Sequence, residues 1–357
     1  MAQGRGLHLL TASPPEVCPW PGDRRWVYSI TFDEALSDLH RFTVPIMERL
    51  GVPGHVEVVV SQMGQVRQVG QSSYNGMRHM GPAELRDLLA RGWGVGNHSW
   101  SHGSVTAETA DLEVGRAKAV LEETIGAPVT VYCAPGSNSN MNPGALDACR
   151  RYGYLGAMSI TDALNRPQAD DLLWLNRTFL HHQGYGPFFS AFDPFRNLAY
   201  ARREGGWVID YLHCPLESPV HPNKDCSAGQ LQERLETVLG EGGDDVWLAP
   251  VEAPQEYRYL RRQVRIEPGP PAPGETPGGP GEPGQSEAGP SYRLSAPDLP
   301  PAVTRRTVTL ALSPETRGAT LDGIPVPLSR RAGRLLLDVD LSTPRRLTLL
   351  SGSGPHA

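Results

Sequence analysis

Two pairs of residues in this chain have the types and the spacing to do chemistry together. Asp33 and Glu34 are adjacent carboxylates directly after the apolar run WVYSITF (26–32), and His98 and His102 stand four apart in GNHSWSHG (96–103). Two imidazoles and one carboxylate make a three-ligand site for a divalent ion that leaves a position open for water or substrate, the catalytic rather than the structural arrangement. Four-residue spacing in a helical turn would aim both rings one way. One acid could then hold the ion while the other takes a proton from water beside it. A leaving amine also needs a proton donor, and His213, at the end of GWVIDYLH (206–213), is the candidate. Each residue has an ordinary alternative: the acids as a strand end and helix cap, the paired histidines as solvated or capping, His213 as structural.

The elements that must position these groups alternate in type. WVYSITF, HVEVVV (55–60), GWGVGN (92–97), VTVYCAP (129–135), YLGAMSI (154–160), LLWLNRTFL (172–180), GWVIDYLH and DVWLAPV (245–251) read as strands. Between them AELRDLLARG, AKAVLEETIG, ALDACRRYGY and LQERLETVLG carry apolar residues at helical spacing, the first two ending on Gly92 and Gly126 as C-caps. Strand–helix alternation over residues 26–266 predicts a parallel sheet, and the number of units favours a closed β/α barrel. Chemistry in such barrels sits at the C-terminal ends of the strands, where Asp33 and Glu34 fall.

Composition bounds the rest. The chain has 357 residues, 39% of them hydrophobic, and a formal net charge of −6, which argues against a nucleic-acid partner. Lys and Arg form no long block, no apolar run reaches bilayer length, and the N-terminus is too weakly apolar for a signal peptide, so a membrane partner is not expected and the cytoplasm is the expected compartment. Five irregularly spaced cysteines suit reduced thiols. From 267 to 301 Pro and Gly dominate without a three-residue period, which predicts a disordered or semi-extended linker rather than collagen. After it, TVTLAL, ATL before Asp322-Gly323, IPVPL, RLLLDVDL and RLTLL predict a small all-β appendage over 302–357. Residues 1–25 are left as an N-terminal extension.

The order TFDE … ELRDLLARGWGVGNHSWSH … LEETIGAPVTVYCAPGS … GWVIDYLH … DVWLAPVEAPQEYRYLRR, over about residues 26 to 262, resembles the polysaccharide deacetylase family, the family 4 carbohydrate esterases. The resemblance implies a distorted (β/α)7 barrel and a metal-dependent hydrolase that removes an N-acyl group, expected to be N-acetyl, from a carbohydrate. It implies Asp33 as general base, His213 as general acid, and Glu34, His98 and His102 as ligands of a divalent metal, Zn²⁺ fitting that donor set best.

Three departures stand out. Glu34 replaces the family's second Asp and reaches farther by one methylene. YCAPGS (132–137) stands where the family has Arg-Pro-Pro-Tyr-Gly, so Cys133 takes the arginine's place and the base is expected to lack its cation. No clear counterpart exists for the acid and tryptophan that support the catalytic histidine, since Asp210 and Trp207 could equally face elsewhere. Cys133 itself is read as a small buried residue. His181, His182 and His221 lie in loop-like segments and could line a pocket, with solvated loop residues the preferred reading. Trp93, Trp100, Tyr185, Phe188 and Phe189 are either sugar platforms or core. Two alternatives stay open: a C–N hydrolase of a small soluble metabolite on the same fold, and a carbohydrate-binding or interaction protein without turnover.

Overall fold

The computed structural model describes residues 13–68, 72, 74–184, 186, 190–270 and 287–351. Contact between residues divides the chain into two units. One comprises 24–259 with 300–305; the other gathers the described parts of 1–23, 260–299 and 306–357.

The larger unit is a distorted (β/α)7 barrel, as expected. Its strands are β1 (Trp26–Phe32), β2 (His55–Val58), β3 (Gly94–Asn97), β4 (Val131–Cys133), β5 (Gly156–Met158), β6 (Trp174–Leu175), β7 (Thr178–Phe179), β8 (Trp207–Leu212) and β9 (Val246–Leu248). All pair in parallel, in the order β6-β5-β4-β3-β2-β1-β8-β7, with β9 beside β1. The two ends of that order, β6 and β7, are consecutive pieces of one segment separated by Asn176 and Arg177. One piece pairs with β5 and the other with β8, so the sheet closes on itself at those two residues. The distortion lies beside β1: β2 pairs only with Thr31 and Phe32, and β9 fills in lower down against Trp26 to Tyr28.

Strand alternation decides which side chains look inward. On β1 the even residues Trp26, Tyr28, Ile30 and Phe32 join the hydrophobic cluster between sheet and helices. The odd residues face the barrel axis: Ser29 accepts from Trp207 Nε1 at 3.0 Å, and Thr31 Oγ1 lies 3.3 Å from Arg177. The next odd position is Asp33. On β3, Gly94 and Gly96 are the inward pair, and a Cβ on Gly94 would stand 2.2 Å from the His55 ring. Their bareness lets His55 and Glu57 of β2 lie across the barrel floor, and the same parity carries on to His98. Gly126 ends the helix Ala117–Ile125 at φ 70, as its C-cap role requires.

The smaller unit is antiparallel. One sheet orders Glu16–Val17, Thr307–Leu312, Arg334–Asp340 and Ser329–Arg331; the other orders Arg265–Pro268, Glu287–Ser295, Arg345–Ser351, Thr316–Leu321 and Ile324–Val326. Asp322 and Gly323 both have φ above zero, the two-residue hairpin turn that the Asp-Gly pair predicts. The Pro/Gly-rich range is not irregular throughout. Its flanks form the paired strands Arg265–Pro268 and Glu287–Ser295, because alternating residues such as Tyr292 and Leu294 have a face to bury. The stretch 271–286 lies outside the described residues. No helix among the described residues is long and apolar enough to cross a membrane.

Candidate active site

The five residues singled out in the sequence come together at the C-terminal ends of β1, β3 and β8. Asp33, Glu34, His98, His102 and His213 all line one cavity of about 580 Å³.

Asp33 lies just past β1, buried, and its carboxylate meets a cation after all. Arg177, wholly buried at the seam of the barrel, donates from Nη1 to Asp33 Oδ1 at 2.6 Å and from Nη2 to Oδ2 at 3.2 Å. The guanidinium is fixed from behind by Nε donating to the Ser159 carbonyl at 2.9 Å. The expectation that this acid lacks its cation is therefore corrected: the charge comes from the β6–β7 segment instead of the end of β4. Burial alone would raise the Asp33 carboxyl, but Arg177, with His98 and His213, holds it well below the usual carboxylate range. Cys133 is buried, as expected, with its thiol 3.6 Å from Asp33 Oδ1 and burial pushing its pKa well up.

Glu34 follows with φ 73, a left-handed conformation costly for a residue with a Cβ. His79 supports it by donating from Nδ1 to the Glu34 carbonyl at 2.6 Å. The side chain, 2% exposed, is gripped by Arg67: Nε donates to Oε2 at 2.8 Å and Nη2 to Oε1. Burial opposes ionisation here too, yet the Arg67 hydrogen bonds and His102 bring the carboxyl down to about 2.

The histidine pair is not on a helix, so that expectation is overturned. Residues 98–103 form a loop in which Ser99 (φ 70) and His102 (φ 61) are left-handed, and the reversal brings the two rings to 4.9 Å. Buried Glu113 holds the loop, accepting from Ser101 N at 2.9 Å and Ser101 Oγ at 2.7 Å. His98 Nδ1 lies 3.0 Å from the Cys133 carbonyl, so that nitrogen carries the proton and Nε2 is left as a donor atom. His102 Nε2 is 3.3 Å from Glu34 Oε1, and burial lowers its pKa to about 4, leaving the ring neutral and able to ligate. The ligand atoms of Glu34, His98 and His102 lie within 4.8 Å of one another, and two nitrogens with a carboxylate oxygen fit a zinc-like ion. A second group, Asp33 with His98 and Cys133, meets the same distance test, but its carboxylate is committed to Arg177 and its thiol is protonated.

His213, half-buried, is positioned from three sides. Asp225 accepts from its backbone N–H at 2.7 Å, Tyr74 stacks on its ring at 4.9 Å, and its Nδ1 lies 3.3 Å from the Lys224 carbonyl. Tyr74 in turn donates to Asp225 at 2.6 Å. The Nδ1 proton thus faces a carbonyl, and Nε2 is the nitrogen able to exchange a proton. Asp210 plays no part: it faces the helix Ala228–Gly242, accepting from Arg234 Nε at 2.8 Å and Tyr28 OH at 2.7 Å. Trp207 sits on the barrel floor.

His181 is another correction. It is 2% exposed and lines the cavity beside Tyr211, because the segment after β7 turns inward, whereas His182 is exposed. Trp93 is core, stacked on Phe32 at 5.6 Å. Tyr185, Phe188 and Phe189 lie outside the described residues. Sequence reasoning passed over Arg177, Arg67, Tyr74, His79, Glu113 and Asp225. Only Arg177 carried a local signal, as a charge inside an apolar parallel strand.

Residues 22–157 match the family model described as Polysaccharide deacetylase. A comparison with curated protein sequences finds no match. Among solved structures, one assigned as a polysaccharide deacetylase from Mycobacterium smegmatis is 18% identical, with 70% of this chain and 96% of that one covered and a TM-score of 0.46. Another so assigned, from Pseudomonas aeruginosa PAO1, is 15% identical, covering 68% and 94%, with a TM-score of 0.44. Puue allantoinase is 15% identical, covering 69% and 94%, with a TM-score of 0.46. Over residues 22–157, the chain carries a domain of the polysaccharide deacetylase family, a family of hydrolases.

Proposed function

We propose that the chain is a metal-dependent deacetylase that removes an N-acetyl group from a carbohydrate, with Glu34, His98 and His102 holding the ion, Asp33 as general base and His213 as general acid. What carries the reading is that a proton acceptor, a proton donor and a three-donor set line one cavity at the C-terminal ends of the barrel strands. A divalent ion, Zn²⁺ by its fit to two imidazoles and a carboxylate, supplies Lewis-acid polarisation of an acyl oxygen and acidifies water.

The protein's own groups do the rest. Asp33, ionised because Arg177 faces it, accepts the proton of the attacking water; the pairing secures its charge at the expense of basicity. His213, with Nδ1 turned to the Lys224 carbonyl, delivers a proton from Nε2 to the departing amine. Tyr74 keeps the ring from rotating away.

The test is acetate release from N-acetylated oligosaccharides by the full chain in excess Zn²⁺, alongside Asp33→Asn and His98→Ala. Release that both substitutions abolish is the expected result. No release from any glycan by the loaded chain overturns the carbohydrate substrate and returns the choice to a small metabolite with a scissile C–N bond. Release that survives His98→Ala overturns the ligand assignment.

A further inference from the structure

We infer that Arg67 is a built-in competitor of the divalent ion for Glu34, so that the site holds its metal weakly and exchangeably; this rests on the ligand assignment proposed above. The guanidinium takes both carboxylate oxygens, and Oε1, the oxygen nearest His102, is one of them. An ion reaching Glu34 must share that oxygen with a fixed positive charge.

Arg67 is held in place. Its backbone N–H donates to the Met77 carbonyl at 2.7 Å, its own carbonyl accepts from Gly76 at 3.1 Å, and Nη1 donates to Asn75 Oδ1 at 3.2 Å. The side chain is 3% exposed, so water does little to screen it. Glu34 cannot easily swing away either, because His79 fixes its carbonyl and its backbone is already left-handed.

The charge balance points the same way. Among the described residues, Asp33 and Glu34 are the acids lining the cavity, and Arg177 and Arg67 pair with them one to one. These two carboxylates and two guanidiniums sum to zero before any ion enters, and Lys224, which also lines the cavity, adds a further basic group. A divalent cation then adds two positive charges with no free anion to offset them, a costly step in a buried site. Two imidazoles remain to hold it.

The experiment is a calorimetric Zn²⁺ titration of the full chain, stripped with chelator, against Arg67→Gln, which keeps a hydrogen-bond donor to Glu34 and drops the charge. Circular dichroism establishes that the variant is folded. The substitution is expected to tighten Zn²⁺ binding by at least about tenfold, since a unit charge a few ångströms from the ion is removed. A smaller gain in a folded variant overturns the competition. Should Arg67→Gln not fold, Arg67→Met carries the test: it keeps an apolar stem and drops the charge, and the same gain is expected, its absence being the refutation. His98→Ala separates the two ideas. If it abolishes Zn²⁺ binding while Arg67→Gln changes nothing, the metal site stands and the competition falls. If it leaves binding unchanged, the site assignment itself falls, and the competition with it.

Discussion

Replacing Arg177 with glutamine removes one charge from a pair that is almost wholly out of water, with side-chain exposures of 0% for Arg177 and 7% for Asp33. At a separation of roughly 4 Å and an effective dielectric of about 20, such a pair is worth about 4 kcal/mol in Coulomb energy. Breaking a buried pair from one side costs roughly 3–5 kcal/mol, because the surviving charge stays desolvated. The Ser159 carbonyl also loses its Nε donor, which adds to the loss. We therefore expect Arg177→Gln to lose about 4 kcal/mol of unfolding free energy in urea at pH 7. Asp33→Asn in the same background should recover a large part of it, giving a coupling of at least about 2 kcal/mol in the double-mutant cycle.

The sign of the pH dependence follows from the carboxyl. In the native chain its folded pKa is depressed, so its stabilising contribution is present above the unfolded value and disappears only as pH falls through the folded one. Without Arg177 burial dominates and raises the folded pKa. The gap between the two chains should then be widest near neutrality and narrow as acid protonates Asp33 in the variant. The acid limb of the kcat/KM profile should move to higher pH in step. A loss below about 1 kcal/mol, or strict additivity in the cycle, would refute the claim that the two residues act as a unit.

Two further outcomes are open to simple measurement. His213→Asn should lower acetate release by roughly 10²–10⁴-fold while leaving the melting temperature almost unchanged, because Asp225 bonds the backbone N–H and not the ring; retention of a tenth of the activity would remove His213 from the reaction. His55, pinned between Glu57 at 2.6 Å and Glu252 at 3.3 Å, is the second. Burial opposes its protonation, but Glu57 and Glu252 lift its pKa from 6.5 to about 10. Its contribution is complete below pH 6.5 and is lost as pH rises toward 10, at a slope approaching about 1.4 kcal/mol per pH unit. His55→Gln should abolish that excess slope in urea unfolding between pH 7 and 10, and a constant gap between the two chains across that window would contradict it.

The barrel was legible because its signals are periodic. Buried parallel strands such as WVYSITF and capped helices such as AKAVLEETIG announce themselves locally. The parity that turns Asp33 and His98 inward is a property of the strand period alone. Pairing between remote segments left no such mark. Nothing local to Glu16–Val17 tells of its partner near Leu310. The cations were the other gap. Arg67 sits in QVRQVG, a stretch with neither a helical nor a strand period, and reaches Glu34 through a hairpin-like excursion in which Val66 bridges Arg78. Arg177 was visible as a charge in an apolar strand, but only the sheet's closure shows that it points at Asp33. The histidine spacing was read as one helical turn, and left-handed Ser99 and His102 reached the same convergence by another route.

The seam of the barrel has a consequence for how this domain can change over evolutionary time. The sheet closes through two strands of only two residues each, and Arg177, one of the two residues that join them, also sets the charge of the general base proposed here. A mutation that lets the seam breathe, however far from the cavity mouth, is felt at Asp33 at once, since opening the joint withdraws the guanidinium. Fold repair and pocket chemistry are therefore inherited together on that side of the barrel.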